Sequence, residues 1–151
     1  DVGKLKANTT LDLCRRTNAN THSHAVPERF RRSMDVGNVV FCCVDRIDLG
    51  HGAANSLYYE VSFFVDGRMS AETMRILAAC DTESREHYPT TLFNADEAFV
   101  GPCTAKTTIY CVNIAAGFML AQFTKYLRQL PIDCDIQLNL LASELSVGGF
   151  E

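Results

Sequence analysis

At 151 residues the chain has the size of one domain and is long enough to bury a core. Its 47% hydrophobic and 21% charged residues are those of an ordinary globular protein, and its net charge of −4 argues against a general nucleic-acid binder, which carries a basic excess. No apolar run approaches the roughly 20 residues that a membrane helix needs, so no membrane partner is expected.

Seven cysteines make an odd number, several lie inside apolar segments, and no C-x-x-C pair occurs. That pattern predicts reduced thiols in a cytoplasmic protein rather than a disulfide framework or a zinc ribbon. The four histidines, His22, His24, His51 and His87, show no H-x-x-x-H spacing and read as surface or loop residues.

In chain order, Lys6 to Thr17 places Ala7, Leu11, Leu13 and Cys14 at helical spacing, and the helix should end near Asn18. A loop follows, with a short strand around His24-Ala25-Val26 stopped by Pro27. The arginine-rich segment from Glu28 to Met34 predicts a short helix or an exposed turn, and a solvated face is the commoner fate of such charge.

Val39 to Val44 is a continuous apolar run that ends on Asp45 and Arg46. A run of this kind predicts a strand buried on both faces, as at the centre of a parallel sheet. Ligands of such sheets bind beyond the carboxyl ends of the strands, which makes Asp45 a candidate metal or nucleotide ligand. An aspartate there can equally be the N-cap of the next helix. From this stretch the two readings are even.

Leu49 to Tyr59 predicts a helix and Val61 to Val65 a second buried strand running into Asp66-Gly67-Arg68, together a right-handed βαβ unit. Met74 to Ala79 predicts a further strand, antiparallel at the edge. Thr82 to Gly101 reads as a long polar loop, with His87 and Tyr88 either against a partner or at a solvated tip. Ala105 to Leu130 is the longest helical pattern, with Ala115, Ala116, Gly117 and Ala121 on a small-residue side and Pro131 after it. Ile136 to Leu141 and Glu144 to Val147 predict two closing strands. The expected fold class is α/β over residues 1–151 as one domain, with a Rossmann-like, mostly parallel sheet, helices on both faces and an antiparallel extension.

Several of these segments together resemble one family. The stretch Asp1-Val2-Gly3-Lys4-Leu5-Lys6-Ala7, the helix after it, and the strand ending in Cys43-Val44-Asp45 are similar to the ThiF/MoeB/ubiquitin-activating superfamily. There a G-x-x-K-[AV] segment and a helix precede an apolar strand ending in C-T-D-N. The later order agrees as well: a strand into Asp66-Gly67-Arg68-Met69, an edge strand, a cysteine-bearing connection and a long helix rich in Gly and Ala.

The resemblance implies an ATP- and Mg²⁺-dependent adenylyltransferase. Its substrate would be the C-terminal glycine of a small ubiquitin-like or sulfur-carrier protein with a Gly-Gly tail, and the enzyme would be a homodimer. It implies Lys6 on the nucleotide phosphates, Asp45 on the metal with Arg46 beside it, and Cys103, in Gly101-Pro102-Cys103-Thr104, as a covalent nucleophile. A small buried residue is the commoner fate of a free cysteine. Cys14, Cys42, Cys43, Cys80, Cys111 and Cys134 are expected to pack.

Arg46 stands where the family has Asn and Gly50 where many members have Arg, and the family's glycine-rich loop and zinc-binding cysteine pairs are missing. The expectation is the C-terminal portion of a divergent member. Two alternatives remain open: a non-catalytic scaffold subunit of the same family, and a nicotinamide-dependent oxidoreductase of Rossmann type.

Overall fold

The computed structural model describes residues 3–31, 33–43, 55–92 and 108–148. The chain divides into two units, Asp1–Arg31 and Arg32–Glu151. The first contains α1 (Lys6–Thr17), as its periodicity predicts. Arg15 and Arg16 occupy its last turn, where cations suit the helix dipole, and the Asn18 N–H closes the end on the Cys14 carbonyl. None of its residues is buried. The short strand expected at His24-Ala25-Val26 does not form; the segment is irregular.

The second unit is a mixed α/β sandwich. Its elements are β1 (Val39–Cys42), α2 (Asn55–Glu60), β2 (Phe63–Ser70), β3 (Thr73–Ala79), α3 (Thr82–Thr90), α4 (Ile109–Leu127), β4 (Asp135–Asn139) and β5 (Glu144–Gly148). The five strands lie in the order β1-β2-β3-β4-β5. Among the described residues only β1 and β2 are parallel; the other three pairings are antiparallel. The expectation of a mostly parallel sheet is therefore corrected.

The reason is local. A tight turn joins β2 to β3 through Ala71, which adopts a positive φ of 52°, and a second turn with Ser143 at φ 57° joins β4 to β5. Antiparallel strands need only such short turns, whereas a parallel pair needs a crossover, here carrying α2.

Two strand positions also differ from expectation. β3 is antiparallel, as read, but it is the middle strand, because both of its edges are paired. β1, expected at the centre and buried on both faces, is the edge strand among the described residues, and Val39 and Phe41 stay 37% and 38% exposed. Among the described residues β1 pairs with β2 alone.

Side-chain alternation splits the core in two. On one face Phe63, Val65, Met74, Ile76, Ala78 and Ile136 pack under Cys111, Ala115 and Met119 of α4. Gly67 belongs to this face, and a Cβ there would stand 2.8 Å from Met119 Sδ, so glycine lets α4 lie close on the sheet. On the other face Phe64, Leu77 and Ala79 pack under Leu57 and Tyr58 of α2, the following Val61, and Tyr88 of α3. Helices thus cover both faces, as expected.

α3 replaces the first half of the long loop expected from Thr82 to Gly101. Asp81 and Ser84 form a capping box: Asp81 Oδ1 accepts from the Ser84 N–H at 2.8 Å, and Ser84 Oγ accepts from the Asp81 N–H at 3.2 Å. Arg85 then donates to the carbonyls of Tyr59 and Val61 at 2.5 and 2.8 Å, tying α3 to the end of the β1–β2 crossover.

Of the thiols, Cys111 and Cys134 are buried and Cys42 and Cys80 half-buried. Cys14 and Cys43 are exposed, so packing does not account for those two.

Candidate site on the polar rows of the sheet

The face under α2 and α3 is apolar at one end and charged at the other. Its pairing places Cys42, Asp66, Leu77, Asp135 and Gly148 in one row across the five strands. The next row holds Arg68, Arg75, Gln137 and Ser146. Two carboxylates and two guanidiniums therefore share one face, at the level where β1 ends and β2 runs on past it.

Asp66 is 5% exposed. Its Oδ2 accepts from Arg68 Nε at 2.8 Å and from the Tyr88 hydroxyl at 3.0 Å. Arg68 Nη1 donates to the Thr91 carbonyl at 2.8 Å, capping the C-terminal end of α3, where a cation suits the helix dipole. The guanidinium carbon lies 5.5 Å from the Tyr88 ring centroid. Among the described residues, Arg68 Nη2 is buried and meets no acceptor at hydrogen-bond geometry.

Burial alone would lower the Arg68 pKa, but the charge and hydrogen bond of Asp66 outweigh it and raise the value. Burial, and then the charge of Asp66, push the Tyr88 phenol far above its ordinary value, so it stays a neutral donor. Tyr88 is 2% exposed, which corrects the reading of a solvated loop tip.

Asp135 sits one strand beyond Leu77 and is 4% exposed. Arg75 grips it side-on, with Nε 2.9 Å from Oδ1 and Nη2 2.6 Å from Oδ2, and His87 Nε2 lies 3.0 Å from Oδ2. Burial would raise the Asp135 pKa, but the hydrogen bonds from Arg75 and His87 hold it below the usual carboxylate range.

Cys43, just after β1, is held in its thiol form by its surroundings. Desolvation around its sulfur, and then the charge of Asp66, push Cys43 upward, away from the thiolate.

Of the residues expected to carry function, Lys6 is described, exposed at the first position of α1 in the first unit. Asp45, Arg46 and Cys103 lie outside the described residues. On α1 a shallow groove is lined by Lys4, Thr9, Asp12, Arg15 and Arg16, three cations against one carboxylate. Among the described residues no three His, Cys, Asp or Glu side chains are grouped as a metal would need. No described helix is long and apolar enough to cross a membrane.

Sequence reasoning placed Asp66 and Arg68 at the end of the second buried strand. It missed Arg75, Asp135 and the burial of Tyr88, because cross-strand register is not written in any local spacing. Compared with models of protein families and with curated proteins, the chain matches none.

Proposed function

We propose that the chain belongs to an ATP-dependent adenylyltransferase of the ThiF type, with a Rossmann-like sheet. It would activate the C-terminal glycine of a small ubiquitin-like or sulfur-carrier protein. In that reaction the glycine carboxylate attacks the α-phosphate of ATP, forming an acyl-adenylate and releasing pyrophosphate. Attacking group and target are both anionic, so the site must supply cations where they meet.

The observation that carries the reading is the β1–β2 pair. It is the one parallel pairing among the described residues, its crossover holds α2, and Asp66 stands beside Cys42 at the end of β1 with Arg68 on the same face. Asp45 and Arg46 follow Cys42 within a few residues, as the resemblance to the family requires. In the first unit, Lys6 stands at the positive end of α1, an arrangement suited by itself to an anion. In this reading Lys6 contacts the phosphates, Asp45 and Arg46 hold nucleotide and Mg²⁺, and Cys103 is the thiol available for a covalent link to the carrier.

The homodimer expected of the family has support in α4. Ile109, Val112, Leu120 and Leu127 are exposed by 80%, 43%, 57% and 63%, and their spacing puts them on one stripe of the helix.

ATP–pyrophosphate exchange by the full protein tests the function. The expected result is exchange that depends on a Gly-Gly-tailed carrier and is lost in Asp45→Ala. No exchange with any such carrier would contradict adenylation, and exchange unchanged in Asp45→Ala would contradict the assigned site.

A further inference from the structure

We draw no further inference here: the strongest candidate, the apolar surface patch that Leu145 and Val147 present on β5, 56% and 52% exposed, carries none because nothing in the structure shows what covers it.

Discussion

Asp66 with Arg68 and Asp135 with Arg75 are built from the same residue types on the same face, and they flank Leu77 symmetrically in the strand register. Their connections differ. Arg75 meets its carboxylate from the neighbouring strand, side-on through two nitrogens, and its side chain is 33% exposed. Arg68 meets a carboxylate two residues back on its own strand, through one nitrogen, and its side chain is 14% exposed. The side-on pair completes the geometry an arginine and a carboxylate prefer. The other pair spends its remaining donors on α3 and leaves one nitrogen over. The same two residue types are thus joined through two nitrogens in one place and through one in the other.

Removing each carboxylate is the strongest way to break that contrast. Asp66→Ala leaves Arg68 charged, buried and unable to reach water, and takes the acceptor from Tyr88. It should cost about 3–5 kcal/mol in urea unfolding. Asp135→Ala leaves Arg75 with a path to solvent and should cost less, about 1–3 kcal/mol. The opposite order would mean that the Asp66 cluster is not the more buried of the two in energetic terms.

The Asp135 cluster also has a pH signature. Its carboxyl is depressed in the folded protein, so its contribution is full above the ordinary aspartate value of about 4 and is lost as pH falls through the lower folded value. The urea midpoint of the native chain should therefore drop between about pH 6 and about pH 3. Asp135→Asn should flatten that drop; an equally steep one would show that other groups carry it.

Gly67 separates the two faces. Gly67→Ala forces Met119 Sδ away from the new Cβ and should cost about 1–2 kcal/mol, while leaving the Arg68 side-chain NMR signal in place. A displaced Arg68 signal would mean that the two faces are not independent. The smallest effect is expected at the start of α3, where Ser84→Ala removes half of the capping box. It should cost about 1 kcal/mol, with the loss shared by both clusters because α3 carries His87 and Tyr88.

Much of the architecture could be read from local pattern. The boundaries of α1, the core of α4 and the two closing strands follow from spacing that a single segment displays. α3 escaped because its only strong signal is the Asp81-x-x-Ser84 cap, while Pro89 and a polar surface mimic a loop. Ser84 and Tyr88, one turn apart, are its buried residues, too few to show as periodicity. The positions of β1 and β3 could not be read at all, since an apolar run does not say how many neighbours it will have. The candidate site shares that limit. Asp66 and Arg68 announce themselves as a strand-end pair, but that Arg75 faces Arg68 is a matter of register across a turn.

The contrast between the two arginines is tested most directly by the exchange of their side-chain Nε–H protons with water in the native chain. Arg68 is 14% exposed and held by Asp66 and Thr91, whereas Arg75 is 33% exposed. The Arg68 Nε–H, identified by its loss in Arg68→Lys, should exchange more slowly than that of Arg75. Equal rates, or faster exchange at Arg68, would contradict the account.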